Sequence, residues 1–513
     1  MLFSSITFLY YFLPLTLFVY YLVPTKAKNG ILFLASFIFY LWGEPKYSIL
    51  LLASVGIGYL GGRCIAYADK RGRNCKKVVT GCFIAVTLSI LVFFKYTDFL
   101  IGSVNKATGI TLPLSGIVLP IGISFYSFQI ISYYVDVYRG EVETEKNILP
   151  FATYVTMFPQ LIAGPIVRFQ TVQQELKARI ITSKKIAHGA GRFVCGLCKK
   201  VLLADSLGTL VTTLQTYSFA GSTVQTAATS GSLQGLGTAG YWVLALAYML
   251  QIYYDFSGYS DMAIGLGSML GFTFPENFRY PFLSGSVSEF WRRWHITLGS
   301  WFRDYLYIPL GGSRVTTMRW CRNMLIVWSL SGLWHGAGWN FMLWGTYFGM
   351  LLIAERGIGR LYGQIKTNKL HLNIERSSIR QQPEQSDRIT CCTALKEVTK
   401  HLYTLLAVLL SFVIFRTDSM SAFTAELQGL LGHSGTTMLP AVSYELRNYA
   451  ILLVIACIGS TPVAATLAHR FDATGIGQRI TWLLKSIFLL SGLLLSTAFL
   501  LGESAHPFLY FRF

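Results

Sequence analysis

Apolar residues recur along this chain in runs separated by short polar stretches. Runs near 5–23, 30–43, 47–66, 78–97, 118–135, 193–215, 241–256, 260–274, 323–354, 402–416, 448–468 and 480–500 predict roughly 11–12 membrane helices, since about 20 apolar residues span a bilayer's hydrocarbon. The strict alternation over about ten residues that marks a membrane β-strand is not seen. The pattern predicts an all-α polytopic membrane protein. One uncharged run, 32 residues between Arg322 and Glu355, contains the stretch GLWHGAGWN (332–340). Gly336 and Gly338 are expected to break that run in two.

One apolar segment departs from the pattern. PFATYVTMFPQLIAGPI (150–166) is flanked by basic residues on both sides and interrupted by Pro159, Gly164 and Pro165. Proline removes a helix hydrogen bond and clashes with the preceding turn. A re-entrant element is expected here, dipping in from the cytoplasmic face. Irregular backbone at membrane depth survives only where protein or a water-filled cavity surrounds it, so the chain is expected to enclose a cavity.

Composition agrees with a membrane protein: 53% of the 513 residues are hydrophobic and 13% charged, about half the charged share of soluble proteins. The net charge of +19 does not call for nucleic acid, because basic residues gather in cytoplasmic loops. DKRGRNCKK (69–77) and the stretch from Lys177 to Lys200 are two such clusters. Residues 356–400 hold nine Lys/Arg against four Asp/Glu, whereas Val201–Phe278 hold no Lys or Arg. The polar stretch 359–401 is therefore expected in the cytoplasm and the loop 216–240 outside. No linker separates globular units, so 1–513 reads as a single membrane domain. Cys195 and Cys198 have no second CxxC to pair with, and small buried hydrophobes describe them better than a metal site.

Three blocks carry candidate chemistry besides the uncharged run. In 286–314, Trp291, Arg292 and Arg293 suit an interfacial helix, but His295 and the Arg303–Asp304 pair are not needed for one. In 251–282, Asp255 and Asp261 adjoin apolar helices, where acids are costly and face a cavity or find a cation; Arg279 or the Arg303 region is the expected partner. Gly258, Gly265 and Gly267 there permit close helix contact. In 119–141, an aromatic helix is expected to face lipid and protein with a tyrosine belt at the interface. His335, near the middle of its uncharged run and surrounded by glycines, stands out. A neutral imidazole in a dry cavity can take the proton of an attacking hydroxyl.

The motifs FPQLIAGPIVRF (158–169), YYDFSGYSDMAIGLGSMLGF (253–272), FWRRWHITLGSWFRDYLYIPLGG (290–312) and GLWHGAGWNFMLWG (332–345), with the ending PFLYFRF (507–513), resemble the membrane-bound O-acyltransferase (MBOAT) family, in its bacterial alginate O-acetyltransferase-like branch. The resemblance implies a ring of membrane helices around a central tunnel in the bacterial inner membrane. It implies His335 as the active-site histidine, acting as general base or as transient acyl acceptor, and His295 as the second polar position. Asp255, Ser257, Tyr259, Trp294, Arg303, Asp304, Trp334 and Asn340 are expected to line the passage. The implied substrates are an acyl thioester donor in the cytoplasm (acetyl-CoA or an acyl carrier) and an extracytoplasmic polysaccharide or acetyl-accepting protein. No metal, permanent cofactor or nucleic acid is expected, and the surroundings are membrane lipid. Teichoic acid D-alanylation and peptidoglycan O-acetylation are alternatives on the same scaffold; a proton-coupled transporter or channel is the non-enzyme alternative.

Overall fold

The computed structural model describes residues 1–224, 236–376, 391–434, 436–472, 475–502 and 508. Most of those residues are helical, and none of them lies in a strand. Among the described residues, five helices are long and apolar enough to cross a membrane: Ser48–Asp69, Arg73–Thr108, Ala394–Arg416, Pro440–Gly459 and Ile480–Gly502. The protein is a multi-pass, all-α membrane protein. Its described residues cluster into two compact units, one comprising Met1–Asn277 with 434–459 and 463–513, the other Phe278–His433 with 460–462.

In the first unit, helix Ser183–Cys198 lies against helix Thr238–Met269. Glycines seven residues apart on each helix make the contact. A β-carbon on Gly196 would stand 2.5 Å from the Gly258 carbonyl oxygen, and one on Gly189 would stand 2.6 Å from that of Gly265. Only glycine allows backbones this close. The expected segments 241–256 and 260–274 are one unbroken helix, because Gly258 serves this packing and does not terminate a turn. After Cys198 the chain passes through a π-helical turn, Lys199–Asp205, which re-aims both lysines.

The aromatic helix Ile123–Arg139 corrects the expectation of a lipid-facing tyrosine belt. Tyr126, Tyr133 and Tyr134 are fully buried. The Tyr133 and Tyr134 rings occupy the space that side chains at Gly62 and Gly61 would need. Their hydroxyls face protein: Tyr134 donates to the Ile57 carbonyl, and Tyr133 accepts from the Glu145 amide.

The segment 150–166 is broken as expected. Helix Ile148–Thr156 ends at Met157, a single turn Phe158–Leu161 follows, and the backbone is irregular to Arg168. All residues from 151 to 167 are buried. Protein supplies the hydrogen bonds the helix loses: Ser36 Oγ accepts from the Phe158 amide, and Gln160 donates to the Tyr154 carbonyl.

In the second unit, helices Thr317–His335 and Trp339–Arg376 form a tight hairpin. Gly332 lies against the Phe341 carbonyl and Gly345 against that of Trp328, each so close that a β-carbon would fall 2.1 Å from oxygen. The polar stretch 359–401 is helical at both ends, and its centre, 377–390, lies outside the described residues. The same holds for residues 225–235 of the 216–240 loop and for all of the ending 507–513 except Phe508.

Candidate active site

Thr317–His335 ends on His335 itself. Gly336 leaves the helix in extended conformation (φ −162°, ψ 154°), and the next helix starts at Trp339. The expected split at Gly336 and Gly338 is therefore present. It frees the imidazole from helical neighbours on its C-terminal side. The Phe341 ring packs where a Gly336 side chain would stand.

His295 occupies the junction between two short helices, Val287–Arg293 and Ile296–Phe302, with φ 44° and ψ 52°. A non-glycine residue in the left-handed region costs about 1–2 kcal/mol, and such strain persists only where the surroundings enforce it. The ring is completely buried. Burial lowers its pKa to about 3, so the imidazole is neutral.

The fold brings these two histidines together. Their ring centroids are 6.2 Å apart, and Trp334 packs on both, at 5.9 Å from His295 and 5.1 Å from His335. Trp344 and Phe415 complete the enclosure of His335 at 4.9 and 5.8 Å. One carboxylate ties the two histidine-bearing segments together elsewhere. Glu355, on the helix that follows His335, accepts from the amides of Val287 (2.6 Å) and Ser288 (3.0 Å) and from the Ser288 hydroxyl (2.8 Å). It thereby holds the start of the short helix that leads to His295.

A cavity of about 960 Å³ lies within the same unit, lined by residues one helical turn from each histidine and not by the imidazoles themselves. Ser331, one helical turn before His335, and Gly299, one turn after His295, lie on its wall. Trp291, Leu298, Phe302 and Trp328 make that wall apolar, while Arg303, Arg356 and Lys400 add positive charge. The volume falls within the range of small-molecule sites, roughly 300–1,000 Å³.

The other expected site residues take several roles. Trp294 is buried among Phe278, Phe290 and Phe412, a packing position. Asn340 donates to the Phe415 carbonyl at 3.3 Å, fixing a ring that touches His335. Arg303 and Asp304 pair with each other at 2.6 Å, with Arg303 largely exposed. Asp255, Ser257 and Tyr259 belong to the first unit. Lys200 bridges Asp255 (2.7 Å) and Asp205 (2.6 Å). Asp261 pairs with Arg192 and Lys199. Neither acid uses Arg279 or Arg303 as expected, because the glycine contact lays 192–200 alongside 255–261. Tyr259 stacks on Phe3 at 4.8 Å and lies against Phe508 at 5.0 Å.

Trp291, Trp344, Phe415 and Glu355 also surround the candidate site, beyond the residues expected there. Trp344 lies within the motif 332–345, and Trp291 within a stretch that suits an interfacial helix. Phe415 lies 80 residues after His335 and carried no signal. Among the described residues, no group of His, Cys, Asp and Glu could hold a metal ion.

Comparison with known proteins gives a consistent picture. The profile of the membrane-bound O-acyltransferase family matches residues 116–373. A protein of Azotobacter vinelandii named "Probable alginate O-acetylase AlgI" is 44% identical over 362 residues, covering 70% of this chain and 69% of that one. A protein of the same name from Pseudomonas putida is 36% identical over 534 aligned positions, covering the whole of both chains. The peptidoglycan O-acetyltransferase of Helicobacter pylori is 30% identical over 470, covering 85% of this chain and 81% of its own.

Proposed function

Since the chain belongs to the membrane-bound O-acyltransferase family and is an O-acyltransferase, we propose that it transfers an acetyl group from a cytoplasmic thioester to hydroxyls of an extracytoplasmic polysaccharide, with His335 as the base. The observation that carries this reading is the pair of buried imidazoles 6.2 Å apart, each one turn from the wall of a large cavity.

In this mechanism His335 accepts the proton of the acceptor hydroxyl as its oxygen attacks the thioester carbonyl. His295, held neutral, orients the hydroxyl or hydrogen-bonds the acyl oxygen. A positioned base contributes typically about 10²–10⁴-fold. The apolar cavity wall suits the thioester arm, and Arg303, Arg356 and Lys400 suit the phosphates of coenzyme A or of a carrier's pantetheine. Arg356 and Lys400 bound the Lys/Arg-rich stretch 356–400, which supports a cytoplasmic donor mouth and an inner-membrane location.

The names of the relatives in Azotobacter and Pseudomonas point to alginate as the acceptor. Peptidoglycan hydroxyls are the second reading, supported by the lower identity to the Helicobacter enzyme. The test is O-acetylation of alginate and of peptidoglycan in a host lacking its own enzyme. The host would express the wild-type chain or His335→Ala at equal membrane level. Acetylation of alginate that disappears with His335→Ala is the expected result. Undiminished acetylation would rule out the base, and acetylation of peptidoglycan alone would replace the acceptor.

A further inference from the structure

Trp344, which packs on His335, and its neighbour Trp291 carry two hydrogen-bond donors that have no acceptor among the described residues. Trp344 is 2% exposed and packs edge to face on the His335 ring, with centroids 4.9 Å apart. Trp291 lies 5.6 Å from Trp344 and lines the cavity. The Nε1 atoms of both indoles are buried, and neither has a hydrogen-bond acceptor among the described residues. Trp320, by contrast, donates its indole N–H to the Tyr307 hydroxyl at 3.0 Å.

Buried indoles usually find an acceptor, and a buried donor left without one costs about 1–3 kcal/mol. Packing alone does not ask for indoles here. Phe348 and Phe415 fill adjacent places around Trp344 with rings that have no N–H. Two unused donors beside a candidate base, one of them on a cavity wall, fit an acceptor oxygen that arrives with the ligand. The two rings pack edge to face with centres 5.6 Å apart, which puts both unused donors in one aromatic cluster.

We propose that Trp344, with Trp291 as second donor, binds the carbonyl oxygen of the thioester and stabilises the negative charge that develops on it. This rests on the acyl-transfer reading above. The acceptor oxygen bonds to the carbonyl carbon while its proton passes to His335. The carbonyl π pair moves onto oxygen, which accepts from the indole N–H groups. When that pair returns, the carbon–sulfur bond breaks, and the departing sulfur takes the proton from His335. Donors held ready for the oxyanion act in the transition state more than in the ground state.

The test replaces Trp344 in the full-length protein with benzothienylalanine, which keeps the ring's shape and exchanges N–H for sulfur. Acetyl transfer is then measured across donor concentrations, together with thermal stability. The expected result is a fall in kcat of about 10²–10³-fold, the size seen when one oxyanion donor is removed, with KM and the melting temperature unchanged. The same exchange at Trp291 lowers kcat in the same sense. A kcat retained within about twofold at Trp344, or a loss confined to KM, overturns the proposal. If the Trp344 analogue is active while His335→Ala is dead, this proposal alone fails; transfer by His335→Ala would instead remove the base reading.

Discussion

In the first unit, Lys200 lies between Asp205 and Asp255, all three buried or nearly so, and Arg192 and Lys199 close on Asp261 a turn away. In the second, His295 and His335 face each other inside tryptophan and phenylalanine rings beside a cavity. The first arrangement balances charge with charge, leaving little for a substrate to find. The second keeps polarity in rings that can be neutral and places it one helical turn from a cavity wall. Buried ion pairs of the first kind contribute little net stability while intact, yet are expensive to break. The second kind tolerates neutral replacement and loses chemistry instead. The contrast supports the proposal that His335 carries the reaction while Asp255 serves the architecture.

The strongest test of that division is Lys200→Met. It leaves two carboxylates facing each other in the interior and should cost about 3–5 kcal/mol, as removing one partner of a buried pair does. Folded yield in detergent would fall sharply, and Lys200→Met combined with Asp255→Leu and Asp205→Asn should recover much of it. If the triple variant regains the fold but no acyl transfer, Asp255 belongs with the chemistry and the division is wrong.

Next in size is Gly196→Val. Its side chain would push against the Gly258 carbonyl, and overpacking of this kind costs typically about 1–3 kcal/mol. The measurement is a lowered melting temperature, with the activity of the surviving folded fraction unchanged.

His295 offers a pH test of the other centre. Its folded pKa of about 3 lies below the ordinary 6.5, so the unfolded chain takes up the proton first. Its stability contribution is constant above 6.5 and is lost progressively as pH falls from there toward 3, by up to about 1.4 kcal/mol per pH unit. His295→Asn, a residue that accepts the left-handed backbone, should flatten the decline in melting temperature between pH 7 and 5. An equal decline in both proteins would show that the ring is not shielded.

The smallest effect is expected at Arg303→Ala. Its pair with Asp304 is exposed on the arginine side, and such pairs contribute about 0–1 kcal/mol. Stability should hardly change, while the KM for a phosphate-bearing donor rises.

How far the sequence revealed this arrangement follows from which signals are local. His335 was legible because a lone imidazole in 32 uncharged residues is a local anomaly, and Gly336 and Gly338 beside it foretold the break. His295 was visible as a polar residue its interfacial surroundings did not need, but its left-handed backbone was not. The partners of Asp255 and Asp261 were misassigned because they depend on which helices touch. Glycines at 189, 196, 258 and 265 decide that through backbone contact, not hydrophobicity. Tyr133 and Tyr134 were sent to the lipid interface for the same reason: the cavities that receive them are made by Gly61 and Gly62 on another helix. Phe415 and Glu355 reach the site from helices whose placement no local pattern encodes.

The most direct measurement is single-turnover acetyl transfer by purified wild-type and His335→Gln protein in detergent, with the melting temperature recorded on the same samples. A rate reduced by at least about 100-fold, with unfolding unchanged, is expected if the imidazole carries the proton. A rate within a few-fold of wild type in a protein of equal stability would contradict the assignment of the reaction to this pair.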